Sequence, residues 1–524
     1  MSRESKLIVF VAVLASLLEI IDTSIVNVAL PTMMGNLGAT LEDISLVITG
    51  YAIANAIILP VSAWLGDRIG RRPYFLGCIL LFTAISVACG LAPNLFSLTI
   101  FRILQGLAGG ALLPTSQTLI YEQFPKEKAG MAGAIFGMSV MIGPTLGPVM
   151  GGYLTDHFGW RSIFNINLPL GLLALFVGAL VIDDVKKPVL SEEEGKKPKP
   201  RLDITGISLM VAGIGCLQYV LERGEPEDWL SSKTIIVNSI IAIVCLPTFV
   251  WWETKVENPI INIRLLKNAA VQNGVMLMCI LGFFLYGVVF LIPVFLGQAY
   301  HYDATQIGSF FIPGSLVTMA MMPFIGKRMQ AGTNPKILIF IGLSMIELCL
   351  FLMTRFSPLS PKGEILRMLY VRGFALSFLF VPINSSILAQ FSGINLGQVA
   401  GMMNLFRQIG GSVGVAVVAT LLNTRSHQNY LDLAANVSAL KPQAQLFLNS
   451  TSAIMQSKLV SEVGFNVNSE AGVKALYFKV QNQVFMMTFI QLVYIMMFVM
   501  LFSMIPLYRL KLKRGGPVAV VNEH

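Results

Sequence analysis

Apolar runs about 20 residues long recur from one end of this 524-residue chain to the other. That is the length of α-helix needed to cross a bilayer. Inside lipid every backbone polar group must be satisfied by the segment itself, and continuous apolar runs do this as helices. Fourteen such spans are expected, at about 7–30, 44–64, 74–92, 98–121, 130–152, 162–182, 203–222, 232–252, 269–299, 305–326, 336–354, 364–390, 397–421 and 483–508. Hydrophobic residues make up 55% of the chain and charged residues 12%. That charged share is roughly half the usual one, too small to cover the surface of a water-soluble protein of this length. The fold class is an all-α polytopic membrane protein.

Charge placement sets the expected orientation. When residues at span ends are counted with the adjoining loop, one set of alternate loops and both tails hold 23 of the 37 Lys and Arg. The short loops on the other side hold six, and five more lie in the long final loop, where the rule is weak. Both termini are therefore expected in the cytoplasm, and topology accounts for the net charge of +9 without nucleic acid as a partner. The first run carries Glu19 and Asp22 and is too long for a signal peptide, so it reads as a retained first helix. All six cysteines lie in or beside apolar runs with no CxxC pair, which argues against a disulfide framework or a metal site. No Gly-x4-Gly-Lys-Ser/Thr loop points to ATP, and no nucleophile–base pair points to an enzyme. The four histidines lie at loops or the tail, so a histidine proton relay is not expected.

Two segments break the apolar pattern. Residues 183–202 (DDVKKPVLSEEEGKKPKPRL) have the charged, proline-bearing composition of a linker. Residues 422–482 form a long polar outer loop. The expected organisation is a six-helix bundle (1–182), the cytoplasmic linker (183–202), an inserted helix pair with its connecting loop (203–268), and a second six-helix bundle (269–524). Paired bundles are a common plan among secondary transporters, and Gly326-Lys327-Arg328 after span 10 weakly echoes Gly66-Asp67-Arg68 after span 2.

Four clusters carry chemistry. After span 2 the chain reads Gly66-Asp67-Arg68-Ile69-Gly70-Arg71-Arg72, with glycines for tight turns and an acid that can pair with arginines or cap a helix. This spacing resembles the signature loop of the major facilitator superfamily, although Ala63 replaces its usual first glycine. The resemblance implies a gating latch on the cytoplasmic side. Span 5 holds Gly143-Pro144-Thr145-Leu146-Gly147-Pro148, then Gly151 and Gly152. Glycines at four-residue spacing make a close-packing face, and each proline removes a backbone donor. The doubled Gly-Pro is similar to the superfamily's antiporter motif. Span 4 holds Arg102-Ile103-Leu104-Gln105-Gly106, and a guanidinium at membrane depth normally turns inward to a partner. The pattern resembles the fourth-helix motif associated with proton transfer, which implies that Arg102 tunes a nearby carboxylate.

Span 1 supplies the carboxylates. Glu19 and Asp22 are three residues apart and share a helix face. Two acids close together in low dielectric cannot both stay ionised cheaply, which is the behaviour a proton-coupled carrier needs. Asp22-Thr23-Ser24-Ile25-Val26-Asn27-Val28-Ala29-Leu30-Pro31 more narrowly resembles the fourteen-helix drug:proton antiporters of the EmrB/QacA type. So do Gly159-Trp160-Arg161 through Pro169, and Leu217-Gln218 through Gly224 with Asp228-Trp229. Asn258-Pro259-Ile260 and Asn404-Leu405-Phe406-Arg407-Gln408 add to the match, which is nearest to the EmrB branch. Glu222 stands where EmrB-like chains commonly have aspartate.

The expected function is proton-gradient-driven export of amphipathic, cationic or lipophilic compounds across the inner membrane, with no bound cofactor. Candidate substrate contacts are Asn27, Tyr51, Gln105, Glu222, Tyr286, Phe290, Asn404 and Arg407, with Phe283 and Phe406 as further aromatic lining. Soft and flat apolar side chains adapt to varied ligands. The resemblance also implies a periplasmic membrane-fusion (EmrA-like) adaptor and, through it, an outer-membrane channel, with loop 422–482 as a docking surface. Two alternatives stay open: a carrier of an endogenous siderophore, lipid or peptide, and a membrane sensor or assembly subunit that transports nothing.

Overall fold

The apolar runs become helices that are longer than the runs themselves, because polar residues at the bilayer edge continue a helix without penalty. The computed structural model describes residues 2–182, 203–257, 259–436 and 470–510, with residues 445, 446, 448 and 450. Among the described residues, fourteen helices are long and apolar enough to cross a membrane. They are α1 (Arg3–Leu37), α2 (Leu41–Ile69), α3 (Arg71–Gly90), α4 (Leu95–Glu122), α5 (Ala129–Phe158), α6 (Ser162–Val181) and α7 (Ile204–Arg223). After these come α8 (Lys233–Glu253), α9 (Ala269–Tyr300), α10 (Ala304–Gln330), α11 (Pro335–Met353), α12 (Lys362–Leu388), α13 (Gly393–Asn436) and α14 (Glu470–Leu501). An even number of crossings puts both ends of the described chain at one face, called here the termini face.

Many helix starts carry a side chain for the exposed N–H groups that a helix leaves open. Thr40 accepts from Asp43 N, Asn94 from Ser97 N, and Asp203 from Gly206 N. Asp303 and Gln306 form a reciprocal capping box ahead of α10. Helix α4 is interrupted between Gly109 and Leu112. The interruption lies where its glycines press onto α2: a Cβ at Gly106 would sit 2.5 Å from the Tyr51 carbonyl, and one at Gly110 2.6 Å from that of Asn55.

Helices α1–α6 and α9–α14 form two bundles that meet along two seams. On one seam α5 lies against α10, so close that a Cβ at Gly130 would fall 2.8 Å from the Gly326 carbonyl. On the other, α2 meets α13, where Gln408 Nε2 donates to the Ala52 carbonyl at 3.1 Å. The inserted pair α7/α8 lies against the α2–α13 seam. Arg223 of α7 donates to the Glu42 carbonyl of α2 at 2.9 Å, while Gln218 donates to Ser412 of α13 at 2.7 Å.

One boundary differs from the sequence expectation. The long loop expected at 422–482 is narrower, because α13 runs to Asn436 and α14 begins at Glu470. The 44 residues of α13 span roughly 66 Å, far more than the hydrocarbon layer, so this helix projects beyond the bilayer. The projection is held by Asn429, whose amide donates to Thr488 Oγ1 at 2.9 Å and to Gln491 Oε1 at 3.2 Å. Residues 183–202, the expected linker, lie outside the described residues, as do most of 437–469 and Asn258.

Candidate functional site

The first bundle is built around one ion pair. Asp22, fully buried, accepts from Arg102 Nη1 on Oδ2 at 2.5 Å, and from Gln105 Nε2 (2.9 Å) and Asn167 Nδ2 (2.8 Å) on Oδ1. Arg102 is 1% exposed and donates further to Gln105 Oε1 at 2.8 Å and to the Val47 carbonyl at 3.3 Å. Its guanidinium also lies over the Tyr51 ring, 4.2 Å from the centroid. Asn167 ties the cluster to α3 through Ser86 Oγ at 2.9 Å. Five helices, α1, α2, α3, α4 and α6, therefore converge on one carboxylate whose charge is matched by one guanidinium.

Glu19 stands apart from this cluster. It lies one turn away on α1 and is 5% exposed, and its Oε1 accepts from Asn55 Nδ2 at 2.9 Å. Its Oε2 is buried with no hydrogen-bond partner, and no cation lies within ion-pair distance of it among the described residues. The two acids expected to act as a couple thus occupy separate hydrogen-bond sets, because Arg102 reaches only Asp22.

Between the bundles runs a chain of amides. Gln117 of α4 donates to Asn384 Oδ1 of α12 at 2.8 Å and accepts from Asn404 Nδ2 of α13 at 2.6 Å. Arg407 Nη2 lies 3.3 Å from Asn404 Oδ1, and its Nη1 lies 3.5 Å from the Tyr286 hydroxyl. Nearer the termini face, Tyr121 and Ser385 approach to 3.4 Å. This clasp joins the bundles on that half of the molecule.

The candidate substrate positions do not line one pocket. Tyr51 and Gln105 belong to the Asp22 cluster, whereas Tyr286, Asn404 and Arg407 gather at the bundle interface, with half-buried Phe290 packed against the core. Glu222 lies on the seam of α7 and α13, accepting from Gln218 and Ser412 at 2.9 Å each. Asn27 is exposed and its amide turns back to the Thr23 carbonyl. The glycine-proline segment packs α5 onto α1: a Cβ at Gly143 would fall 2.0 Å from Ile20 Cγ2 and one at Gly147 1.9 Å from Ser24 Oγ. Ser24 Oγ in turn donates to the Gly143 carbonyl at 2.9 Å. Gly151 faces Ile25, and Gly152 and Pro148 face Thr305 and Gly308 of α10. Helix α5 continues through Pro144 and Pro148.

In the loop after α2, Gly70 takes φ +109°, a conformation that suits glycine. Arg71 pairs with Glu122 at 2.5 Å and Arg72 donates to the Ala179 carbonyl at 2.8 Å, so both arginines anchor within the first bundle. Arg68 lies over the Trp64 ring. Gly66 and Asp67 face the other bundle across a cavity of about 30 Å³ shared with Gly393, Ile394 and Gly397 at the start of α13.

Asn55, Gln117, Asn167 and Asn384 are the site residues the sequence did not single out. Asn55 and Asn384 are each the one side-chain amide of a long apolar helix, and buried amides of this kind are hydrogen-bonded; Gln117 and Asn167 share their helices with Gln105 and Asn165 and carry no such mark.

Comparison with known proteins fits this architecture. The family model described as Major Facilitator Superfamily matches residues 12–415. The chain belongs to the major facilitator superfamily. It is 32% identical over 433 residues to the multidrug export protein EmrB of Escherichia coli (strain K12), covering 82% of this chain and 83% of that protein. EmrB of Haemophilus influenzae is 31% identical over 470 residues, covering 87% and 90%. The crystal structure of the human organic anion transporter MFSD10 superposes with a TM-score of 0.59 over 95% of this chain and all of that one. At 13% identity, that likeness concerns the fold alone. The chain is an EmrB-type member of the superfamily.

Proposed function

We propose that this protein exports amphipathic and lipophilic compounds, driven by protons moving the other way. Its EmrB-type relatives are named multidrug export proteins. The observation that carries the coupling is the burial of Asp22 and Glu19 on one helix, the first neutralised by Arg102 and the second with one oxygen unpartnered. An intramembrane acid with an uncommitted oxygen marks a proton or substrate path. Arg102 pairs with Asp22 in this arrangement. Protonation then releases the guanidinium to its remaining partners Gln105, Val47 and the Tyr51 ring.

The transport step is alternating access. The amide clasp Gln117–Asn384–Asn404 and the Gly130–Gly326 contact close the termini face, and their parting opens it. Protonation from the outer side weakens substrate binding, and release of the proton to the cytoplasm restores it. Each proton crossing 100 mV supplies about 2.3 kcal/mol. The reading places the protein in the inner membrane with both termini cytoplasmic, as a carrier without catalysis or a bound cofactor. The projecting ends of α13 and α14 are the surface for a periplasmic membrane-fusion adaptor and, through it, an outer-membrane channel.

Everted membrane vesicles test the export claim. Vesicles holding the protein are expected to accumulate a fluorescent lipophilic cation when energised and to lose it when a protonophore collapses the gradient. Accumulation that follows ATP and ignores the protonophore would overturn it.

A further inference from the structure

Among the described residues four buried charges lack a close counter-ion, Glu19, Glu253, Arg372 and Arg407, and two of these, Glu19 and Arg407, lie near the seam of α2 and α13, where Asn55 bonds Glu19 and Gln408 bonds Ala52. Arg407, on α13, is 6% exposed and has no carboxylate within 4 Å among the described residues. Its Nε has no hydrogen-bond partner, and its two terminal nitrogens make only the long contacts to Tyr286 and Asn404 described above. Glu19, on α1, presents the unpartnered Oε2. The two are farther apart than an ion pair, yet the Arg407 charge acts on Glu19 electrostatically. A buried guanidinium with open donors and a buried carboxylate with an open acceptor are both costly unless something fills them. Beside Arg407, Tyr286 is 38% exposed and offers an aromatic face.

We infer that Glu19 and Arg407 are the two poles of one substrate site, built for an amphipathic zwitterion: an ammonium on Glu19, a carboxylate on Arg407, and an apolar body against Tyr286. This rests on the exporter reading above and names the substrate class of that same site. Arg suits the carboxylate because its planar fork donates two parallel hydrogen bonds. Each pole keeps an open atom, Oε2 of Glu19 and Nε of Arg407. Asp22 and Arg102 satisfy one another, and Asn55 uses only one oxygen of Glu19.

The arrangement also makes proton and substrate exclusive. A proton on Glu19 removes the partner of the ammonium, and an ammonium on Glu19 keeps the proton off. The other charged or titratable groups around Glu19 are Asp22 on its own helix, paired to Arg102 of α4, and Tyr51 of α2, whose ring lies under Arg102 and whose hydroxyl is buried without a hydrogen-bond partner. An exchange of this kind gives antiport from one carboxylate. A carrier of lipophilic cations alone would need no Arg407.

The test uses the full chain in lipid nanodiscs and three fluorescent analogues: Nε-dansyl-lysine (zwitterion), its methyl ester (cation only) and its Nα-acetyl derivative (anion only). Hydrogen bonds to charged groups contribute about 1.5–3 kcal/mol each, so the zwitterion is expected to bind at least about 10-fold more tightly than either partner. Arg407→Gln should reduce the zwitterion to the level of the ester, and Glu19→Gln should reduce it to the level of the acetyl derivative. Arg407→Lys keeps the charge, so it should retain part of the preference and gives a readout if glutamine destabilises the fold. Equal binding of the three analogues by wild type, or a preference that survives both neutral variants, would overturn the inference. Gradient-driven transport of a lipophilic cation by the same preparation separates the two claims. If it persists while the analogues bind alike, only the zwitterion site fails; if it is absent in wild type, the exporter reading fails.

Discussion

Replacing Asp22 with asparagine should destabilise the protein more than any comparable change on α1. The variant keeps the shape and leaves Arg102, 1% exposed, as an uncompensated cation in the first bundle. Two charges roughly 4 Å apart at an effective dielectric near 20 interact by about 4 kcal/mol. Breaking a buried pair by removing one partner typically costs about 3–5 kcal/mol. Arg102 keeps Gln105 Oε1, the Val47 carbonyl and the Tyr51 ring, so the lower half of that range is expected. Arg102→Gln should cost a similar amount, because it leaves Asp22 with only the two amides of Gln105 and Asn167. The double variant Asp22→Asn/Arg102→Gln removes both charges and should cost clearly less than the sum of the singles. Equilibrium unfolding in mixed micelles of all four proteins closes this double-mutant cycle. Additive losses would show that the two groups do not act as a pair and would refute the account of the first bundle.

Other consequences can be checked separately. Gln117→Leu strips partners from Asn384 and Asn404, a loss of about 1–3 kcal/mol per orphaned buried group. It should shift the protein toward the state open at the termini face, read as faster labelling of a cysteine placed at Ser385. Gly147→Ala should cost about 1–3 kcal/mol through overpacking, because its Cβ would meet Ser24 Oγ. Gly77→Ala on α3, with nothing within 4 Å of its Cβ, should be neutral or slightly stabilising in the same melts. Glu122→Gln breaks the Arg71 pair, which is about a quarter exposed on each side, and should cost under about 1 kcal/mol. Any effect on transport larger than that stability loss would assign the loop a role in gating.

The number of helices and the charged residues that lie inside them were legible because both are carried by composition along the chain. Fourteen apolar stretches stand out against polar loops, and Glu19, Asp22, Arg102 and Arg407 stand out inside them. Pairing was less legible. Asp22 meets Asn167, 145 residues away, and nothing in the local pattern marks that asparagine as different from a helix-end cap. Glu19 and Asp22 read as a couple from their spacing, yet a single arginine divides them by reaching one and not the other. Gln105 read as a substrate contact, and nothing in the sequence showed that its amide donates to Asp22. The extent of α13 was hidden because its outer part is polar, and hydropathy reports where lipid ends rather than where a helix ends.

In the proposed mechanism the carboxylates of α1 carry the proton that is exchanged for substrate. The purified protein in liposomes, given an imposed pH gradient, tests this by uptake of a fluorescent lipophilic cation. Wild type should transport only with the gradient. Asp22→Asn and Glu19→Gln, each shown to be folded, should lose gradient-driven uptake, as variants fixed in the protonated, weakly binding form. Gradient-driven transport that continues unchanged in both variants would contradict the mechanism.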